Sequence, residues 1–162
     1  MIFVTLGSQK FQFNRLLEKV DELVSQGVIK DEVFAQTGYS NYKPQHYEHK
    51  QFFSREEFAE MEGKADIVIT HGGTGAIIGA VKKGKKVIAV PRLVKYGEHV
   101  DDHQIQLIKQ FDGMGIIEAC YEIEGMESAY RNTQQKSYQA YNSNTEKIIK
   151  SIDEFISKKT DG

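Results

Sequence analysis

The sequence is poor in the residues that mark specialised protein classes. Its 162 residues contain a single cysteine, Cys120, and no tryptophan. One cysteine cannot form an intramolecular disulfide, which excludes the disulfide-rich secreted scaffolds and favours a reducing compartment. The 14 glycines are spread along the chain, so no segment has a fibrous or disordered composition. The composition is that of an ordinary globular protein.

Long apolar runs and an excess of one charge are also missing. No stretch approaches the roughly 20 apolar residues that a transmembrane helix needs. The start, from Met1 to Gly7, is too short an apolar run for a secretory signal and has no basic region before it. The net charge of −2 gives no concentrated basic face for nucleic acid. We therefore expect a soluble, cytoplasmic protein that does not bind nucleic acid.

Length and apolar content predict one domain over residues 1–162. The length of 162 residues lies close to the size that single domains most often have. A hydrophobic content of 40% is enough for one core. No repeat, linker or low-complexity block divides the chain.

Apolar spacing predicts strands that alternate with helices. The run from Ile2 to Leu6 ends at Gly7-Ser8 and is typical of a strand buried on both faces. Further strands are predicted at Val33–Gln36, Lys50–Phe53, Asp66–Thr70 and Lys86–Val90, and from Ile116. Helices are predicted from Phe13 to Gly27, from Ser54 to about Gly63, from Ala76 to Lys83, around Ile105–Phe111, and over about 141–159. The alternation predicts a Rossmann-like α/β fold, with a mostly parallel sheet flanked by helices.

The sequence contains one helix-start signal and one apolar stripe besides these elements. Ser54 and Glu57 have the spacing of a capping box, which predicts that a helix begins after Ser54. The segment from Gly125 to Asn144 is polar and gives no clear pattern. The apolar stripe from Ile148 to Ile156 is expected to pack on the core, or to dock a partner if it extends beyond the core.

Three loops follow predicted strands and are expected to meet at one edge of the sheet. They are Gly7-Ser8, His71 to Gly75, and Pro91 to Gln104. Ligands of open parallel sheets bind outside the carboxyl ends of the strands. The convergence of the three loops therefore predicts a ligand site.

The second loop has the character of a phosphate-binding turn. Its sequence is His71-Gly72-Gly73-Thr74-Gly75, followed by a predicted helix. Glycines let a ligand approach the backbone, and a helix N-terminus offers free N–H groups and a positive dipole end. The alternative is a strand-to-helix turn that only requires glycine. The spacing matches neither the dinucleotide fingerprint nor the phosphate loop of nucleotide triphosphatases.

The third loop is rich in side chains that bond to hydroxyl groups. Arg92 is followed by Gly97-Glu98-His99-Val100-Asp101-Asp102-His103-Gln104, whose carboxylates, imidazoles and amide could bind a ribose or a sugar. A solvated polar loop is the alternative. The His and Asp residues could also suggest a metal, but no further pair of ligands accompanies them, and no metal site is predicted.

These blocks together resemble the C-terminal domain of family 28 glycosyltransferases. The resemblance is carried by Phe-Val-Thr-Leu-Gly-Ser at the start, by His-Gly-Gly-Thr-Gly, and by Val-Pro-Arg with Gly-Glu-His-Val-Asp-Asp-His-Gln. It runs from residue 2 to about residue 119. The sequence looks most like the short stand-alone subunits of bacterial capsule and exopolysaccharide synthesis. Those subunits are similar to the soluble subunit of the two-part eukaryotic enzyme that adds the second N-acetylglucosamine to a dolichol-linked carrier.

The resemblance implies one half of a GT-B fold that binds a sugar nucleotide. Gly72, Gly73, Thr74 and Gly75 would hold the donor diphosphate, and Gln104 would touch the hydroxyls of the donor sugar. Gly7 and Ser8 would line the cleft that faces a partner. The predicted site also includes six loop residues whose contacts stay unassigned: His71, Arg92, Glu98, His99, Asp102 and His103.

One position departs from the family pattern. Many relatives carry a glutamate that binds ribose on the helix after the glycine loop, five residues before its terminal glycine. Counting back from Gly84 gives Gly79. The ribose contact must therefore come from elsewhere, be weaker, or be absent.

The implied reaction is transfer of a sugar from a uridine-diphosphate donor to a lipid-diphosphate-linked sugar, with inversion. The donor is a substrate, and no cofactor is predicted. The general base is expected on a membrane-anchored acceptor-binding partner that recruits the chain to the inner face of the plasma membrane. His71 is the local candidate for the base, against the alternative that it shapes the loop. Two other functions stay open: a non-catalytic enhancer of a partner glycosyltransferase, and an unrelated nucleotide-binding α/β protein such as an epimerase fragment.

Overall fold

The fold is described from a computed structural model, which covers residues 1–142 together with Lys147 and Lys150. The helix predicted over about 141–159, with its stripe from Ile148 to Ile156, falls almost entirely outside the described residues. In chain order the elements are β1 (Ile2–Thr5), α1 (Asn14–Ser25), β2 (Val33–Gln36), β3 (Glu48–Lys50), α2 (Arg55–Lys64), β4 (Ile67–His71), α3 (Thr74–Lys82), β5 (Lys86–Val90), α4 (His103–Gly113), β6 (Glu118–Ala119) and α5 (Met126–Gln135).

The six strands within the described residues form one parallel sheet in the order β3-β2-β1-β4-β5-β6. Val4 of β1 pairs with Ala35 on one side and Ile69 on the other. The chain therefore winds outward in one direction from β1 to β3 and in the other direction from β4 to β6. The order reverses between β1 and β4, which is where doubly wound sheets open a crevice for ligands. The predicted fold class is confirmed.

Two apolar layers cover the faces of the sheet. Side chains alternate along β1, so Ile2 and Val4 pack into one layer and Phe3 into the other. The first layer is completed by the buried stripe of α1 and by α5, and the second by α3 and α4. Apolar side chains therefore cover both faces of the sheet that carries the loops.

Two predicted strands were placed wrongly. β3 is Glu48–Lys50 rather than Lys50–Phe53, and all three of its side chains are exposed. It forms the edge of the sheet, and its exposed side chains leave no apolar signal in the sequence. Phe53 lies after the strand and packs against the rings of Phe3 and Phe34 at 5.9 and 5.5 Å. The last strand is Glu118–Ala119. Ile116 and Ile117 are buried in the turn that precedes it.

The structure confirms the predicted start of α2 and contains one helix, α5, that the sequence did not predict. The capping box is confirmed, since Ser54 Oγ accepts the N–H of Glu57 at 3.2 Å and the Glu57 carboxylate accepts the N–H of Ser54 at 3.3 Å. The unassigned polar segment contains α5, which buries Met126, Ala129 and Tyr130 at helical spacing. No helix among the described residues is long and apolar enough to cross a bilayer.

Candidate functional site

A pocket opens at the carboxyl edge of the sheet, where the loops after β1, β4 and β5 converge. Its volume is about 530 Å³. The β1 loop forms one wall, the start of α3 forms the floor, and the β5 loop with the start of α4 forms the other wall. The lining residues are Gln9, Lys10, Phe11, Gly72, Gly73, Thr74, His99, Val100, Asp101, His103, Gln104 and Leu107.

The floor of the pocket is a helix N-terminus without a side-chain cap. α3 begins at Thr74, and Gly73 in the N-cap position has no side chain that could bond to the first turn. The first N–H groups of a helix lack partners within the helix and carry the positive end of its dipole. Gly75 is exposed, and a methyl group added there would meet no protein atom within 4 Å. This end of α3 is accessible to an anionic ligand.

His71 supports the glycine loop from below. Its ring lies between two glycines: a Cβ atom on Gly7 would come within 2.7 Å of His71 Nε2, and one on Gly73 within 2.9 Å of the same nitrogen. Gly7 also has a φ of +72°, a conformation that favours glycine. The imidazole therefore requires glycine on both sides, because a side chain on either loop would overlap the buried ring.

The environment keeps His71 neutral. Burial is the main cause that lowers its pKa, to about 3, and the nearby positive charge of Arg92 adds to it. The side chain is only 5% exposed. Gln104 Nε2 lies 3.3 Å from His71 Nδ1 and donates to it, so the ring proton is on Nε2. A buried imidazole that holds protons this weakly is a poor general base at neutral pH, and these features favour the loop-shaping role.

Gln104 joins the two loops that flank β4 and β5. Its Oε1 accepts the N–H of Gly72 at 3.0 Å and the N–H of Arg92 at 2.9 Å. Both acceptor positions of the amide oxygen are therefore used inside the protein. The second N–H of Nε2 is the group that can reach a ligand from the pocket wall. Its predicted contact with sugar hydroxyls stays a prediction.

Arg92 and Glu98 lie inside the protein rather than on the pocket wall. Arg92 is 1% exposed and donates to the carbonyls of Leu6, Phe11 and Gln12, and Glu98 is fully buried. The Glu98 carboxylate accepts two bonds from Arg15, both at 3.0 Å. The sequence predicts Arg92 and Glu98 among the substrate-binding residues. The structure instead shows them fixing the β1 loop to the β5 loop, and Arg15 was missed.

The remaining polar residues of the β5 loop divide between the pocket and its outer side. Asp101 lies between two imidazoles, with its oxygens 3.3 Å from His99 Nδ1 and 3.6 Å from His103 Nδ1. All three line the pocket. Asp102 turns away and accepts the N–H of Val94 at 2.9 Å. Within the described part of the chain, no group of three or more His, Cys, Asp and Glu side chains could hold a metal ion.

The β1 loop contributes a wall that the sequence analysis did not identify. Only Gly7 and Ser8 had been singled out there, whereas Gln9, Lys10 and Phe11 line the pocket. Every residue between a parallel strand and its helix starts from the carboxyl edge, so the position of Lys10 in this loop was an available signal. Gln36 holds the start of the loop, since its Nε2 donates to the Gly7 carbonyl at 3.0 Å.

The fold and the site together define a class. A parallel sheet with order reversal at β1 and β4, and a glycine-rich helix N-terminus at that crevice, is a Rossmann-like domain. The sequence model of the glycosyltransferase family 28 C-terminal domain matches residues 1–159. The chain belongs to that family of glycosyltransferases.

Solved structures agree on the fold. ALG13, determined by NMR, is 18% identical, with a TM-score of 0.61 over 91% of this chain and 94% of that one. The kitacinnamycin glycosyltransferase is 16% identical, with a TM-score of 0.63 over 93% of this chain and 37% of that one. MurG of Acinetobacter baumannii is 16% identical, with a TM-score of 0.57 over 93% of this chain and 49% of that one. A search of curated proteins found no significant match.

Proposed function

We propose that this chain is the donor-binding subunit of a two-component inverting glycosyltransferase. It binds a uridine-diphosphate sugar and delivers the sugar to a lipid-diphosphate-linked sugar held by a membrane-anchored partner, in the synthesis of a capsule or exopolysaccharide. The observation that carries the proposal is the uncapped N-terminus of α3, which opens into a pocket built from three loops of the carboxyl edge. An exposed helix N-terminus with adjacent glycines suits a diphosphate.

The matched structures differ in how much of their length this chain covers. It spans 37% of the kitacinnamycin glycosyltransferase and 49% of MurG, while it spans 94% of ALG13. A complete GT-B enzyme has two Rossmann-like domains, and the described strands form one sheet. The pocket is open toward the carboxyl edge, where a second domain would complete it.

The chemistry of the reaction fits the charge of the pocket. An acceptor hydroxyl oxygen attacks the anomeric carbon from the face opposite the diphosphate, and the bond between that carbon and the β-phosphate oxygen breaks. Its electron pair leaves on uridine diphosphate, so negative charge grows at the floor of the pocket. The N-terminal end of α3, with the positive end of its dipole, can stabilise that charge as it develops. The proton of the acceptor hydroxyl passes to a base, which we assign to the partner because His71 is buried and weakly basic.

A titration separates this proposal from its alternatives. The purified chain is titrated calorimetrically with uridine diphosphate and with its galactose, glucuronic acid and N-acetylglucosamine derivatives, with adenosine diphosphate as the control. We expect saturable binding of the uridine compounds, and the tightest sugar identifies the donor. The titration is repeated in the presence of the membrane partner. If no uridine compound binds to the chain alone or together with that partner, the proposal is contradicted and a non-catalytic enhancer is favoured.

A further inference from the structure

The pocket contains one cationic side chain of the lysine and arginine type among its lining residues. That residue is Lys10, on the β1 loop. Arg92, the other cation close to the site, is buried and donates from both terminal guanidinium nitrogens to loop carbonyls. Among the described residues, no carboxylate lies within ion-pair distance of Lys10, whereas Asp101 in the opposite wall is already held by His99 and His103. The ammonium group is therefore available to a ligand.

The backbone that carries Lys10 is fixed even though its side chain is exposed. The buried guanidinium of Arg92 donates to the Leu6 carbonyl before the loop and to the Phe11 and Gln12 carbonyls directly after Lys10. The Gln12 side chain also donates to the Tyr96 carbonyl at 2.8 Å. These bonds tie the β1 loop to the β5 loop on both sides of Lys10. The backbone of Lys10 is thus held in place by these bonds, while its side chain remains flexible.

The charge that the reaction develops exceeds what the floor of the pocket supplies. The N-terminus of a helix is equivalent to roughly half a positive charge. A departing nucleoside diphosphate gains a full negative charge on the β-phosphate when the glycosidic bond breaks. A lysine aimed at a transferring or departing phosphate offsets charge that backbone N–H groups alone leave uncompensated. Lys10 is the lining residue with the chemistry and the freedom to do this.

We propose that Lys10 is a catalytic residue of this subunit, whose ammonium group binds the donor diphosphate opposite the N-terminus of α3 and stabilises it as the leaving group. The inference rests on the proposed function, because it names a further contact of the same donor. As the anomeric carbon–oxygen bond breaks, the electron pair moves to the β-phosphate oxygen, and the positive charge of the Lys10 ammonium group stabilises that oxygen. Lys10 transfers no proton in this step.

Charge-selective binding tests the proposal with a matched control. Lys10→Met is compared with Lys10→Arg and with Lys95→Met, which removes the same charge from an exposed lysine that does not line the pocket. The probes are uridine diphosphate, uridine and inorganic pyrophosphate. We expect Lys10→Met to weaken both diphosphates about tenfold, which is about 1.4 kcal/mol, and to change uridine binding less than twofold. Lys10→Arg retains most of the affinity, and Lys95→Met is unchanged.

The outcomes separate the two proposals. If Lys10→Met binds uridine diphosphate and pyrophosphate as tightly as the wild type does, the role of Lys10 is overturned while donor binding stands. If pyrophosphate binds through Lys10 but uridine adds no affinity, the anion contact is supported and the donor function fails. If the wild type binds neither diphosphate, both proposals fail. In a transfer assay with the partner present, kcat should fall more than KM rises, because the charge is largest in the transition state.

Discussion

Adding one methyl group to Gly73 should destabilise the protein, while the same change at Gly75 should not. Gly73 has a φ of −82° and a ψ of 128°, values that alanine adopts without strain. The penalty therefore comes only from the His71 ring, since a Cβ at Gly73 would lie 2.9 Å from Nε2 and closer still to the adjacent ring carbon. The ring is buried, and Gly7 also lies against it.

The two substitutions should change the free energy of unfolding in opposite directions. Overpacking of this kind costs about 1–3 kcal/mol, and for a chain of this length each kcal/mol lowers Tm by roughly 2–4 °C. Gly73→Ala is thus expected to lower Tm by roughly 2–12 °C. Gly75 is an exposed position of α3 with open space around it, and alanine there should gain up to about 1 kcal/mol from helix propensity.

Thermal unfolding of the two variants without ligand, followed by circular dichroism, measures the difference. The side-chain contact between Gln104 and His71, now 3.3 Å, should also weaken in Gly73→Ala and shift the ring resonances of His71. Equal Tm values for Gly73→Ala and the wild type would refute the placement of His71 beneath the glycine loop. A loss of stability in Gly75→Ala equal to that in Gly73→Ala would show that the loop tolerates no side chain for a reason other than the ring.

Three other predictions concern the same edge of the sheet. Gln104→Met should lower the free energy of unfolding by at least about 2 kcal/mol in urea melts, because the N–H groups of Gly72 and Arg92 lose their acceptor; Gln104→Glu keeps the acceptor and should lose less. The pKa of His71 in the folded protein, about 3, lies below the usual 6.5. The stability that its neutral form contributes is therefore fully present above pH 6.5 and is lost as the pH falls towards 3, at up to about 1.4 kcal/mol per pH unit. The variant His71→Gln should flatten that part of a plot of unfolding free energy against pH. Gly79→Glu should tighten uridine diphosphate binding relative to Gly79→Gln in calorimetry, because nothing lies within 4 Å of a Cβ there and the family pattern places a ribose-binding carboxylate at this position.

The buried strands were predictable because burial on both faces leaves a continuous apolar run. β1 and β5 were identified this way, and β5 has the predicted bounds, Lys86–Val90. β3 escaped because its three side chains are exposed at the edge of the sheet. Backbone pairing with β2 holds it there, and backbone hydrogen bonds have no signature in side-chain hydropathy.

The meeting of the three loops was predictable from the sequence, but the direction of each side chain was not. The rule that ligands bind at the carboxyl edge placed the three loops correctly around one pocket. Sequence cannot tell whether a charged residue faces a ligand or a partner inside the protein, so Arg92 and Glu98 were assigned to a substrate. The buried Glu98 carboxylate is paired with Arg15, which lies on α1 and is brought to Glu98 only by the fold.

An NMR titration with uridine diphosphate tests the central claim most directly. Amide resonances of the isotope-labelled chain are followed as the ligand is added. We predict saturable shifts that centre on Gly72, Gly73, Thr74 and Gly75 and extend to Gln104, with no comparable shifts at the opposite edge of the sheet near Lys86. Saturable shifts that centre elsewhere, or no shifts at millimolar ligand, would contradict the assignment of this pocket as the donor site.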